Sequence, residues 1–231
     1  MFKSNKTANE STTKEVFDTL DESVIKSEKF LEKNLKSISI TLFSLLIAIG
    51  GYFAYVYLYK NKRNNKAMEE MTEAQKFFYQ EDYKKALNGG GSYYGFEEII
   101  EDFGGTNTGN VAKYYASISY YKLKKYDKSI ELMKNFDSKG DNSLSSIKNG
   151  VIADAFVQIN NYEEADSYYK KAINEVEDLE TLYVFYNKKA GVVAFKNNNK
   201  KEANLYFNSI LEKFPNTQSK DEIEKFVALT E

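Results

Sequence analysis

The carboxy-terminal half of the sequence repeats a two-helix pattern, and this repetition limits the possible folds more than any other feature. Three segments superimpose when Ser129, Ala165 and Ala203 are aligned, at intervals of 36 and 38 residues. Each segment has two runs of helical periodicity separated by a short turn rich in Asn, Asp or Lys. Such a unit cannot bury its apolar face alone, so its copies must stack. The sequence therefore predicts an all-α solenoid, with three units over residues 110–215.

Small and aromatic residues alternate within the three units. The first helix of each unit carries a small residue, which is Ser117, Ala153 or Gly191. In the second helix, aromatic residues follow four positions after the aligned alanines, at Tyr169 and Phe207. Two antiparallel helices approach closely only where a small side chain of one faces a large side chain of the other. We therefore interpret most of the 19 Tyr and 16 Phe as packing residues.

These segments resemble tetratricopeptide repeats over about residues 114–215. The only proline, Pro215, falls where that family places a helix-ending proline. A degenerate unit precedes them over residues 68–109, and its second helix is interrupted by a Gly-rich insert that begins at Asn88. Because glycine breaks helices and permits positive φ, we predict a loop there. Residues 216–231 predict a final amphipathic helix that caps the stack.

The stretch SISITLFSLLIAIGGYFAYVYLY, residues 37–59, has no charged residue in a chain that is 29% charged. A helix of this length is about 34 Å long, slightly more than the ~30 Å hydrocarbon core of a bilayer. A buried core helix is usually shorter, and a cleaved signal should end in a small-x-small site. The stretch instead ends in tyrosines, which cluster at membrane surfaces. We interpret it as a single transmembrane helix.

The segments flanking the stretch extend this interpretation. Residues 1–13 are predicted to be a disordered polar tail, and residues 60–67 a basic linker. Residues 14–36 predict an amphipathic juxtamembrane helix, which lies on the membrane surface or forms a coiled-coil contact. Lysines occur on both sides of the stretch, so charge alone does not determine its orientation. The oligomeric state stays open as well.

Composition and motifs argue against catalysis. The chain has no Cys and no His, and its net charge is −2, so it lacks thiol and imidazole chemistry, ordinary zinc ligands and an electrostatic signal for nucleic acid. The densest acidic cluster, Glu97-Glu98 and Glu101-Asp102, reads as a solvated helix face. The glycines at 89–91 lack the Lys-Ser/Thr pair of a phosphate-binding loop. We expect no catalytic residue, no cofactor, no metal and no small-molecule substrate.

A protein-binding groove is the remaining candidate site. First helices line the concave side of such solenoids. We predict a groove formed by Tyr114, Tyr121, Val157, Phe185, Lys188, Val192 and Phe195. Val151 and Val192 lie where a Lys/Asn clamp for acidic peptide termini would need polar side chains. An extended or helical apolar segment suits this groove better. The alternative is that Tyr114 and Phe185 only pack between repeats.

The order of features suggests a narrower family. A polar tail, a span with GGYFAY near its end, a basic flank, the ALNGGG insert and GNVAKYYASISYYKLKKYDKSIELMKNF follow one another. This order resembles the bacterial membrane-anchored tetratricopeptide proteins of the YfgM type. The resemblance implies a single-pass inner-membrane protein whose repeats lie in the periplasm. It also implies the Sec translocon, a periplasmic chaperone or unfolded client chains as partners. The alternative is a cytosol-facing receptor or regulator in the same membrane.

Overall fold

The computed structural model describes residues 33–231, and no β-strand occurs among them. The predictions for residues 1–13 and for most of 14–36 lie outside the described residues. The helices are α1 (33–55), a π-helical turn Val56–Lys60, α2 Asn61–Tyr79, α3 Tyr83–Asn88, α4 Phe96–Phe103, α5 Asn107–Lys122, α6 Tyr126–Lys134, α7 Asn142–Gln158, α8 Tyr162–Asn174, α9 Glu180–Lys196, α10 Lys200–Lys213 and α11 Lys220–Thr230.

The chain divides into two compact units. The first ends at Lys60, and the second begins at Asn61. In the first unit, the apolar stretch 37–59 lies in a helical run that is long and apolar enough to cross a membrane. None of its most apolar window is buried. The core helix of a soluble protein would have most of that window covered, so the exposure of these side chains argues against a core helix.

In the second unit, helices α2 to α11 stack as antiparallel pairs. The pairs are α5 with α6, α7 with α8, and α9 with α10, and α2 pairs with both α3 and α4. Each first helix also contacts the preceding second helix, as α7 contacts α6 and α9 contacts α8. Two pairs of first helices also contact each other, α2 with α5 and α7 with α9. The predicted all-α solenoid is confirmed, and α11 covers its last pair.

The turn inside each pair has the same backbone geometry. Its central residue, Glu81, Lys124, Asn160 or Asn198, has a left-handed backbone with φ between 59° and 61°. In each turn this residue donates its N–H to the carbonyl three positions earlier, and the next residue donates to the carbonyl five positions before it. This double hydrogen bond satisfies the last carbonyls of the first helix. The four turns therefore give every first helix a common register.

The first pair is longer than the others because of its glycine loop. The left-handed residues are 43 residues apart at the first interval, and 36 and 38 at the next two. The excess of seven matches residues 89–95, which connect α3 to α4. Gly90 and Tyr93 exchange two backbone hydrogen bonds of 3.0 Å there. A Cβ on Gly95 would lie 2.1 Å from the Leu87 carbonyl oxygen, so only glycine fits. Helices α3 and α4 thus replace one continuous second helix.

Small side chains lie where the helices of a pair approach most closely. The Ser117 hydroxyl donates to the Ser129 carbonyl at 2.8 Å, between α5 and α6. A Cβ on Gly191 would lie 2.6 Å from the Phe207 ring, between α9 and α10. The three aligned residues are all fully buried: Ser129, Ala165 and Ala203. The alternation of small and aromatic residues therefore reflects helix contact, as the sequence predicted.

Residues 60–67 are helical, and α2 begins within them at Asn61. The Asn64 side chain accepts the Thr108 N–H at 2.9 Å. The Arg63 guanidinium donates to the carbonyl oxygen of Asp102, and Ala67 is fully buried. The segment was predicted as a linker because it has one apolar residue among basic and amide side chains. The segment is held by polar contacts to α4 and α5. Because these contacts are polar, they produce no apolar periodicity in the sequence.

We expect Gly150→Ala to destabilise the repeats. A Cβ on Gly150 would lie 2.2 Å from the ring of Tyr186, which is buried. Overpacking of this kind costs about 1–3 kcal/mol of stability. The higher helix propensity of alanine offsets roughly 0.5–1 kcal/mol of that cost. Gly105→Ala, in the turn after α4, is the control for an uncrowded glycine, because a Cβ there meets nothing within 4 Å. Urea denaturation measures both free energies of unfolding. Equal stability of the two variants would contradict the packing described for Gly150.

Candidate functional site

The common register shows which residues occupy equivalent places on successive first helices. The residue three positions before each left-handed residue is apolar in all four pairs. We call this set the carboxy-terminal row: Phe78, Tyr121, Val157 and Phe195. The residue thirteen positions before is also apolar in all four. We call this second set the amino-terminal row: Met68, Val111, Ile147 and Phe185.

Several members of these rows are not covered by the rest of the molecule. In the amino-terminal row, Met68 is 59% exposed, Val111 40% and Phe185 47%. In the carboxy-terminal row, Phe195 is 39% exposed and the others are half-buried. Isolated exposed apolar side chains are normal on proteins, but repetition at one register position places these along the same face. The first helices thus carry two apolar rows whose exposed members are Met68, Val111, Phe185 and Phe195.

Two further register positions lie between the rows. Ten residues before the left-handed residue are Met71, Tyr114, Gly150 and Lys188. Six residues before it are Gln75, Ile118, Asp154 and Val192. All seven residues predicted for the groove therefore fall on these four register positions. The sequence alone missed Met68, Phe78, Val111 and Ile147. The signal that finds them is their constant distance from the turn.

The aromatic residues predicted for the groove differ in how closely they pack against other residues. The Tyr114 ring lies 5.9 Å from that of Phe136, and burial raises the pKa of Tyr114. Tyr121 is half-buried beside Tyr126, with ring centroids 5.5 Å apart. The Phe185 ring lies 5.0 Å from that of its neighbour Tyr186 and 4.8 Å from the Lys189 ammonium, and Phe185 is nevertheless 47% exposed. The alternative of packing between repeats thus describes Tyr114 better than Phe185.

Lys188 and Val192 contribute to the end of the stack. The Lys188 ammonium donates to both carboxylate oxygens of Glu222 on α11, at 2.9 and 2.8 Å. Val192 is half-buried against the apolar cluster that α9, α10 and α11 share. Lys188 therefore helps to hold the capping helix, and its charge is neutralised in place.

An ion-paired network that the sequence did not reveal joins three helices. The Tyr169 hydroxyl donates to the Asp154 carboxylate at 2.6 Å, and the Lys189 ammonium donates to its other oxygen at 2.5 Å. Burial and the Asp154 charge raise the pKa of Tyr169. The network connects α7, α8 and α9. Its signal in the sequence is Asp154 itself, the one acidic residue among four at its register position.

The acidic cluster of α4 has structural roles. The Tyr120 hydroxyl donates to the Glu97 carboxylate, and burial is the largest cause that raises the pKa of Tyr120. The Glu98 carboxylate accepts the Gly95 N–H at 3.1 Å and so caps the start of the helix. These contacts use the two glutamates to fix α4 against α5 and the glycine loop.

Three surface cavities have linings in which polar side chains predominate. One of about 230 Å³ lies between α8, α9 and α10, where its lining includes Tyr162, Asp166, Asn197 and Glu202. The other two measure about 370 and 410 Å³. Small-molecule sites usually have mostly apolar linings, so these cavities do not resemble such sites.

Comparison with known proteins agrees with this architecture. A family model described as a tetratricopeptide repeat matches residues 189–217, which fall on the third repeat and the turn after it. The crystal structure of MamA protein is similar, with a TM-score of 0.52 and 16% sequence identity, over 71% of this chain and 89% of that one. No match was found among curated proteins. At this identity the likeness establishes the tetratricopeptide-like solenoid fold only.

We expect the buried Tyr169 to make stability fall at alkaline pH. Its folded-state pKa is raised above the ordinary value near 10, so the folded protein keeps a proton that the unfolded chain loses. The contribution is fully present below pH ~10 and is lost as the pH rises further. Urea denaturation between pH 9 and 11 should show a shallower fall in Tyr169→Phe than in the unmodified protein. Parallel pH profiles would contradict the assignment.

Proposed function

We propose that this protein is a non-enzymatic, membrane-anchored scaffold whose first helices bind an apolar segment of a partner protein. The observation that carries the proposal is the pair of apolar rows, repeated at fixed register in four successive pairs and partly exposed. Because tetratricopeptide-like solenoids present extended concave surfaces, a partner segment lying along the stack would contact several pairs at once.

The physical basis of such binding is burial of the exposed apolar side chains. Exposed apolar surface rimmed by polar residues is typical of interaction sites. Aromatic anchors contribute most of the binding free energy at protein interfaces, and Phe185 and Phe195 are the most exposed aromatic side chains of α9. A segment with apolar side chains at regular spacing, extended or helical, would cover them.

Membrane anchoring is the second part of the proposal. It is supported by the apolar stretch 37–59, by its uncovered side chains and by the tyrosines at its carboxy-terminal end. The anchor would confine the repeats to the membrane surface, so that the partner segment is met where it emerges from or enters the bilayer.

The resemblance to YfgM-type proteins supports a more specific version. In it, the repeats lie on the periplasmic side of a bacterial inner membrane, beside the Sec translocon, and hold unfolded client chains or a periplasmic chaperone. The alternative places the repeats in the cytosol as a receptor or regulator of soluble proteins. Lysines on both sides of the span leave room for each orientation.

Protease access decides between the orientations. We expect a tag after Glu231 to be lost when protease is added to cells whose outer membrane is permeabilised and whose inner membrane is intact. A cytosolic protein of the same cells must stay uncut as the control. A tag that is cut only after lysis would place the repeats in the cytosol and remove the translocon-associated version, although the fold and the apolar rows would stand.

We expect loss of the exposed aromatics to weaken binding without unfolding the repeats. Phe185→Ser with Phe195→Ser should weaken binding of a purified, labelled unfolded polypeptide at least about tenfold, because interface anchors contribute roughly 2 kcal/mol or more each. Leu205→Ser is the matched control, since Leu205 is 59% exposed but lies on the second helix α10. Fluorescence anisotropy with the full chain in detergent measures the affinities. Equal weakening by the control would rule out the first-helix face.

A further inference from the structure

Phe185 is the one aromatic residue of the amino-terminal row, and a lysine lies over its ring. The other members of that row are Met68, Val111 and Ile147. The Lys189 ammonium lies 4.8 Å from the centroid of the Phe185 ring, one helical turn further along α9. An ammonium at this distance is attracted by the negative face of the ring. The row thus contains one ring, and that ring is in contact with a cation.

A carboxylate on α7 holds the other side of this contact. The Lys189 ammonium pairs with the Asp154 carboxylate at 2.5 Å. The second oxygen of that carboxylate accepts the hydroxyl of Tyr169, which is 2% exposed, at 2.6 Å. A lysine side chain is flexible, so its ammonium keeps one position only where partners hold it. Here the network of α7 and α8 holds the ammonium over the Phe185 ring.

The Phe185 ring has a second neighbour, Tyr186, which is buried. The two ring centroids are 5.0 Å apart, and the ring planes make an angle of 75°. Edge-to-face contacts of this kind are favourable for aromatic pairs. Phe185 nevertheless stays 47% exposed. The ring is therefore held in position by two neighbours, while a large part of it remains available to a partner.

The contact of Lys213 with Tyr183 shows what distinguishes Lys189. Lys213 pairs with Glu177 at 3.0 Å, and its ammonium lies 5.2 Å from the centroid of the Tyr183 ring. Tyr183 is 8% exposed, so that ring belongs to the core. Lys189 makes the same two kinds of contact, but the ring that it holds is exposed. Lys189 therefore affects the surface that a partner would meet.

We infer that Lys189 is a positioning residue: held by Asp154, it fixes the Phe185 ring in the orientation in which this ring contacts the apolar partner segment. The inference rests on the proposed function, because Phe185 is an anchor of that binding surface. A ring that is already fixed loses less conformational freedom when the partner binds, and this improves the affinity. Lys189 needs no contact of its own with the partner.

A double-mutant cycle tests this inference. Lys189→Met keeps an unbranched side chain of similar length and removes its charge. With the full chain in lipid nanodiscs and a labelled twelve-residue peptide of alternating Leu and Ser, we expect Lys189→Met to weaken binding about threefold to fivefold. In a protein that already carries Phe185→Ser, Lys189→Met should have no further effect, because Lys189 acts through that ring. Equal weakening in both backgrounds would overturn the inference.

Two further variants separate positioning from a general loss of stability. Lys189→Arg should keep the affinity of the unmodified protein, because a guanidinium pairs with a carboxylate and also stacks on an aromatic ring. Lys213→Met is the matched control and should leave peptide binding unchanged, although it removes the same two kinds of contact. Loss of affinity in Lys189→Arg would overturn the assignment, and so would equal weakening by Lys213→Met.

Asp154→Asn provides a second route if Lys189→Met impairs folding. The amide oxygen can still accept the Tyr169 hydroxyl, but it does not form the ion pair that holds the ammonium. This variant should weaken peptide binding by a similar factor, and again only where Phe185 is present. Peptide binding that both substitutions leave unchanged would overturn the inference while the proposed function stands. Absence of peptide binding by the unmodified protein would overturn both.

Discussion

The repeats depend on a close approach between their two helices, which only small side chains permit. Gly191 faces the Phe207 ring, and Ser117 donates a hydrogen bond directly to the Ser129 carbonyl. Because these contacts fix how the helices cross, the turn between them must always end the first helix in the same way. The shared left-handed turns follow from this constraint, and they bring equivalent residues of successive first helices into register.

Because the first helices share a common register, exposed side chains on different helices lie along the same face. Met68, Val111 and Phe185 are unremarkable one at a time, but as equivalent residues they line the same face of the stack. On α9, Lys188 pairs with Glu222 of the last helix and Lys189 pairs with Asp154. The proposed partner therefore needs apolar side chains that cover the exposed members of the two rows.

Some parts of this organisation could be predicted because they depend on local chemistry. The helix pairs, the glycine loop and the apolar stretch all follow from periodicity, turn residues and run length, which the sequence displays directly. The helix over residues 60–67 did not show such a signal. This helix is held by a hydrogen bond from the Thr108 N–H to the Asn64 side chain and by one from Arg63 to the Asp102 carbonyl oxygen. Long-range polar contacts of this kind produce no hydrophobic periodicity in the sequence.

The sequence by itself determined the repeat length, the small residues at the helix contacts and the apolar composition of the first helices, because these depend on neighbours within about one turn of helix or one repeat. Only the tertiary structure decided which of these apolar residues stay exposed, since exposure depends on the next repeat along the stack. It also decided which lysines find a carboxylate. Lys189 pairs with Asp154, which lies 35 residues earlier in the sequence. Pairing at that distance is set by how the repeats stack.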